Sequence, residues 1–299
     1  MNETIVVGTS GRNGLAGKLA EVLDFMRRWP VISVVILVVA AFAAITATTL
    51  APHNPRVGDL DAKFTPPIWS EGGSGEYVFG TDHLGRDILS RLMFGARISL
   101  SITAASVFIG GAIGVVTGLI SGYYGGWVDE AIMRIVDIFL AFPLILLALA
   151  LVAVFGDSVI LVTILLVSWV WTSFARQVRG ETLQLKELEY VKLARVAGAT
   201  TWRIVFRHIF PGTFNTTLVI GSLRVGFVIL VEASLSFLGA GVPVSTPTWG
   251  SMTSDGRQYI ENAWWISFMP GMAILLVVVA ANFLGDWLRD RLDPRLRQI

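Results

Sequence analysis

Between Val31 and Leu50 the chain runs for twenty residues without a charge, VISVVILVVAAFAAITATTL. About 20 apolar residues wound as a helix cross the hydrocarbon core of a bilayer, where every backbone N–H and C=O must find its partner inside the protein. Comparable runs recur at 98–121, 131–155, 158–175, 216–238 and 264–287, so the sequence predicts an all-α membrane protein with six transmembrane helices. A mean hydropathy of +0.68 agrees, being too apolar for a soluble domain. Ala41-Phe42-Ala43 has the small-x-small form of a signal-cleavage site, but a secretory apolar region spans only about 7–15 residues. Residues 31–50 are therefore read as an uncleaved first span.

Orientation follows from Lys and Arg, which accumulate on the cytoplasmic side of short loops. With both termini inside, the inner segments carry sixteen of them and the outer segments six. The predicted order is a cytoplasmic tail (1–30), the first helix (31–50), an external loop (51–97), a five-helix core (98–287) with a cytoplasmic loop at 176–215, and a cytoplasmic C-terminal tail (288–299). Cysteine is absent and the three histidines, His53, His83 and His208, lie far apart, so neither disulfides nor a metal centre are expected. A net charge of +1, with basic residues broken up by apolar runs, gives no reason to expect nucleic acid as a partner.

The inner loop is the anomaly. Seven of the 23 Lys and Arg residues fall between Arg176 and Arg207, inside a chain that is only 15% charged. On a helical wheel Leu183, Tyr190, Ala194 and Ala197 share one arc, while Lys186, Glu189, Lys192 and Arg195 spread over the other side, interrupted by Leu188, Leu193 and Val196. Gly198 relaxes the backbone there. A second short helix follows, with Trp202, Val205 and Ile209 on one side and Arg203 and Arg207 at i, i+4, and Pro211 is expected to stop it. This reads as a helix, turn, helix element projecting from the membrane. Amphipathicity alone fits equally well a helix lying on the bilayer surface.

The segment EYVKLARVAGATTWRIVFRHIFPG, Glu189 to Gly212, resembles the cytoplasmic loop of binding-protein-dependent ABC importer permeases, whose pattern is E-A-A, three residues, Gly, nine residues, I-x-L-P. Gly198, Pro211 and Ala194 fit; Lys192, Leu193 and Phe210 depart from it, and Ile209 is displaced by one. The departures suit the peptide branch, whose version E-Y-V-x-A-A-R-x-x-G-A is similar to Glu189, Tyr190, Val191, Ala194, Arg195, Gly198 and Ala199. FGTDHLGRDILSRLMFGARISL (79–100), GYYGGWVDEAIMRIVDIFLAFP (122–143), EASLSFLGAG (232–241), PTWGSM (247–252) and NFLGDWLRDRLDPR (282–295) likewise resemble the second permease of dipeptide and oligopeptide importers.

The resemblance implies the six-helix type I ABC importer permease fold in a bacterial or archaeal cytoplasmic (inner) membrane. It implies a homologous second permease, two ATP-binding subunits and an extracytoplasmic substrate-binding protein as partners, with ATP and Mg held by the partner subunits and no cofactor on this chain. The loop would be a coupling helix seated in a groove of the ATPase: Glu189 and Arg195 as polar rim, Tyr190, Ala194 and Ala197 as packed face, Gly198 as the turn, with Ala199 also among the coupling residues. Related permeases serve nickel complexes, glutathione and oligosaccharides, so peptide is the favoured cargo among several.

Nothing in the chain offers ATP chemistry or a catalytic constellation. GRNGLAGKL (11–19) has Arg12 where a phosphate-binding loop needs Gly and Leu19 where it needs Ser or Thr. An ion-coupled secondary transporter is the alternative of another class, and it calls for inverted repeats and an acidic relay across spans, of which Glu232 alone is a candidate member. Gly110, Gly114, Gly118 and Gly122 repeat every four residues and suit close helix packing. Arg134 and Asp137 are read as a local ion pair. Arg224 and Glu232, deep in the fifth span, need protein or water around them, either as buried polar groups with partners elsewhere or as pathway lining. Pro143 and Pro270 are expected to kink spans three and six.

Overall fold

The computed structural model describes residues 30–292 apart from 244. The phosphate-loop look-alike at 11–19, most of the N-terminal tail and the end of the C-terminal tail lie outside the described residues. The long helices are α1 (Val31–Leu50), α2 (Ile88–Tyr124), α3 (Gly126–Ala141), α4 (Leu144–Phe155) and α5 (Val159–Leu185). After them come α6 (Glu189–Val196), α7 (Thr201–Ile204), a π-helical turn (Val205–Ile209), α8 (Phe210–Phe237), α9 (Trp249–Gly256) and α10 (Trp265–Leu292). Five of the described helical runs are long and apolar enough to span a bilayer, and α3 with α4 make a sixth, bent by 78°. That bend replaces the single third span expected at 131–155. Pro143 lacks the N–H that would continue α3 and instead opens α4 as its N-cap.

Three further boundaries differ from the apolar runs. α2 begins at Ile88 rather than near 98, because Asp87 caps it, its carboxylate accepting from Ser90 N at 2.9 Å and from Ser90 Oγ at 2.6 Å. α5 continues ten residues beyond 175 as a charged helix. Pro211 does not stop the second cytoplasmic helix: the chain stays helical from Thr201 to Phe237. The π-helical turn just before Pro211 widens the backbone where a proline ring would otherwise strike the carbonyl four residues back.

The core sits where α2 lies along α5. An added Cβ at Gly114 would strike the Trp171 carbonyl oxygen, and one at Gly118 would meet Ala175 O at 2.7 Å; Gly110 and Gly122 face Val170 and Thr182 of the same helix. The glycine stripe is thus the α2–α5 contact, and it lets two backbones approach as only small residues permit. Around it Leu119, Leu166, Phe174 and Val178 are buried together with Ile204 and Ile209. α10 packs along α8, and α1 lies against α2 and α10.

The rigid carbonyl opposite Gly114 makes a sharp test. Gly114→Val should destabilise the detergent-solubilised protein by about 3 kcal/mol, at the upper end of overpacking costs. Gly180→Ala in the same helix pair meets nothing within 4 Å and should leave the melting temperature unchanged. Equal melting temperatures for the two variants would contradict the α2–α5 contact.

Candidate functional site

The inner loop rises from a base tied down by charge. Asp129, on the first turn of α3, accepts from the Arg179 guanidinium (Nη2 to Oδ2, 2.6 Å) and from the Ser121 hydroxyl, joining α2, α3 and α5. Lys186 Nζ donates to Gly122 O at 2.8 Å, and Arg176 reaches Asp137 at 2.6 Å. This corrects the Arg134–Asp137 pairing expected from spacing: Arg134 meets Glu130 at 4.0 Å, both largely exposed. The i, i+3 spacing was available, but Arg176 on the facing helix gives Asp137 a far shorter contact.

α6 stands on this base. Val191 is its one fully buried residue and belongs to the same buried cluster as Ile204, Val205 and Ile209. Tyr190 Oη donates to His208 O at 3.2 Å, fastening α6 to the π-helical turn. The C-terminus of α6 closes as a Schellman motif: Gly198 has φ +80°, Gly198 N donates to Arg195 O at 3.1 Å and Ala199 N to Ala194 O at 3.0 Å. A Cβ at Gly198 would touch nothing within 4 Å, so glycine is needed there for conformation alone. Thr200 then caps α7, accepting from Arg203 N.

The seven residues singled out in the sequence gather on this one short element. Glu189, Arg195, Ala197 and Gly198 are exposed, Tyr190 is 45% exposed, and Ala194 and Ala199 are half-buried. Arg195 turns back over the Tyr123 ring, 5.9 Å from its centre. The largest apolar exposure belongs to Leu193 (68%) and Val196 (87%), residues whose burial a helical wheel could not assign. A helix with its apolar side chains exposed, held by partners behind it, can receive another protein.

Away from α6, residues 51–87 with α9 make a folded cap. Gly80 (φ +78°) and Gly85 (φ +73°) in GTDHLGRD permit backbone approaches, to the carbonyls of Thr65 and Asp59, that a Cβ would block. Asp82 is completely buried and accepts from Leu84 N (2.8 Å), Arg86 N (3.0 Å), Arg86 Nε (2.7 Å) and the buried Arg91 guanidinium. Arg91 Nη2 also donates to Asp255 Oδ2 at 3.3 Å. Burial opposes ionisation of Asp82, yet Arg91, Arg86 and the two backbone N–H groups outweigh it and hold the carboxyl below the usual carboxylate range. Trp265 Nε1 donates to Thr81 O at 3.0 Å and Trp249 Nε1 to Leu92 O at 3.1 Å, so the cap welds α2 to α9 and α10.

Arg224 and Glu232 do not meet: no ion pair joins them among the described residues. Glu232 is wholly buried and accepts from Ser99 Oγ at 3.0 Å and Ser236 Oγ at 2.9 Å, bridging α2 and α8. Arg224 is half-buried with its guanidinium 5.2 Å from the centre of the Phe227 ring. Sequence reasoning missed the Asp82–Arg91–Asp255 and Asp129–Arg179 clamps, whose partners are up to 164 residues apart; the signal was the density of charge in GTDHLGRDILSR beside a span.

Residues 114–298 match the family described as binding-protein-dependent transport system inner membrane component. A glutathione transport system permease protein, GsiD, of Pectobacterium atrosepticum is 46% identical over 80% of this chain and 79% of its own. The dipeptide transport system permease protein DppC of Escherichia coli is 46% identical over 90% and 89%, and a di/tripeptide transport system permease protein DppC of Pseudomonas aeruginosa is 41% identical over 87% and 86%. Among solved structures, the MetNI methionine ABC transporter in an inward-facing conformation superposes with a TM-score of 0.54 at 20% identity, covering 68% of this chain and 96% of that one, which identifies the type I importer permease fold. With the family matched over more than half of its length and these relatives over most of it, the chain belongs to the binding-protein-dependent inner membrane components, the permease subunits of ABC importers.

Proposed function

We propose that this chain forms half of the translocation pathway of an importer for di- and oligopeptides, paired with a homologous second permease and driven by two ATP-binding subunits. Cargo arrives on an extracytoplasmic binding protein. ATP and Mg sit on the partner subunits, and this chain binds no cofactor. The observation that carries the coupling role is α6, anchored behind by Val191 and Tyr190 while Leu193 and Val196 stay exposed. Both ends of α6 lead directly into spans, α5 on one side and the continuous α7–α8 helix on the other. A push on α6 is therefore delivered to two spans at once, as a rocking switch requires.

Short peptides as cargo are supported by the names of the relatives, and glutathione, itself a tripeptide, falls within the same chemical class. Mass spectrometry of the ligand retained by the partner binding protein tests the cargo. The assembly has its own test: a purified ATP-hydrolysing complex should contain this chain and a second, homologous permease in equal amounts. A complex that hydrolyses ATP with this chain as its sole membrane subunit would contradict the pairing.

A further inference from the structure

An apolar slot of about 150 Å³ opens between the inner end of α2 and the α7–π segment, walled by Ile120, Tyr123 and Tyr124 on one side and by Trp202 and Phe206 on the other. The Trp202 and Phe206 rings stack at 5.1 Å with 7° between planes, yet Trp202 is 73% and Phe206 46% exposed. Next to each in sequence stands an exposed arginine, Arg203 and Arg207, and among the described residues neither forms an ion pair. Arg195 lies over the Tyr123 ring of that wall. No acidic residue lines the slot; Asp129 and Glu187 are engaged with Arg179 and Lys192.

We propose that this slot holds one acyl chain of an anionic phospholipid from the cytoplasmic leaflet, with Arg203 and Arg207 receiving its phosphate. The inference rests on the orientation that places residues 176–215 at the cytoplasmic face. Three properties select a lipid over a protein occupant. The α2 wall belongs to the last turns of a helix long and apolar enough to cross a membrane, so the slot is continuous with the end of a span. Aromatic rings beside arginines are what the membrane interface favours, rings at headgroup level and guanidinium groups against phosphate. An unpaired cationic pair also complements the negative surface of that leaflet. The occupied slot would brace α2 against α7, and so set the footing of α6.

The test uses the intact complex with its ATPase subunits, purified in mild detergent and exposed to phosphatidylglycerol or phosphatidylcholine, with retained lipid read by native mass spectrometry. The wild type should keep phosphatidylglycerol in preference to phosphatidylcholine. Arg203→Gln with Arg207→Gln, both exposed and outside the α6 contact, should reduce that preference about tenfold, the weight of one charge-assisted contact, while the ATPase subunits stay bound. Trp202→Ala should weaken retention of both lipids. Equal retention of the two lipids by the wild type, or an unchanged preference in the double variant, would overturn the proposal. So would a photo-crosslinker at Ile120 that captures the second permease or an ATPase subunit instead of lipid.

Discussion

Replacing Leu193 and Val196 together by aspartate will strip the ATPase subunits from the permease while leaving the permease folded in the membrane. Both side chains are largely exposed in the chain by itself, so carboxylates there cost the fold nothing that burial would impose. In the assembled importer the same carboxylates would be desolvated in a packed contact without a partner, at about 3 kcal/mol or more, which is roughly hundredfold in Kd. Gly198→Pro reaches the same end through the backbone. Proline cannot adopt φ +80° and removes the Gly198 N–H that donates to Arg195 O, so α6 loses its closing turn. Co-purification of the ATPase subunits at matched permease levels is the measurement, and retention of wild-type amounts by both variants would refute a coupling role for α6. A helix that merely rests on the bilayer predicts such retention.

The second large effect lies at the opposite face. Asp82→Ala removes the acceptor for four donors and leaves Arg91, only 2% exposed, with Asp255 alone. Breaking a buried ion pair from one side costs about 3–5 kcal/mol, enough to loosen the cap that ties α2 to α9 and α10. Limited proteolysis should then cut within residues 51–87, with α6 and ATPase binding unaffected. The same pair sets an acid limit. Because the folded-state pKa of Asp82 is depressed, its stabilisation is fully present above the unfolded value of about 3.9 and disappears as pH falls through the lower folded value. Cap proteolysis should therefore rise at acid pH in the wild type, and Asp82→Ala should be cut freely at neutral pH. A cap equally resistant in wild type and variant would contradict the clamp.

How much of this is legible in the sequence depends on what each signal measures. Hydropathy finds apolar runs, and it locates all six spans, but helices run on into polar ground. Residues 88–97 and 176–185 are helical yet charged; Arg91 enters the interior only because Asp82, nine residues earlier, and Asp255, 164 residues later, meet it there. No local pattern announces the second partner. Gly198 is legible because few residues other than glycine accept a left-handed turn where a helical pattern changes phase. Pro211 misleads for the complementary reason: its local rule is to end a helix, and the π-helical turn that accommodates it has no sequence signature of its own. Val191 shows the limit of a helical wheel, which orders residues around an axis without saying which side meets the protein; the buried cluster that also holds Ile204, Val205 and Ile209 decides that.

The chain has no cysteine, so Val196→Cys places its single thiol at the most exposed apolar position of α6. In the intact complex, a short bifunctional thiol reagent at that position tests the coupling claim most directly. The account predicts an adduct with an ATPase subunit, formed in a yield that changes between nucleotide-free and ATP-bound states, and no such adduct from Ile164→Cys on the exposed face of α5. A thiol at position 196 that reacts freely with a water-soluble maleimide in every state, and never joins an ATPase subunit, would contradict it.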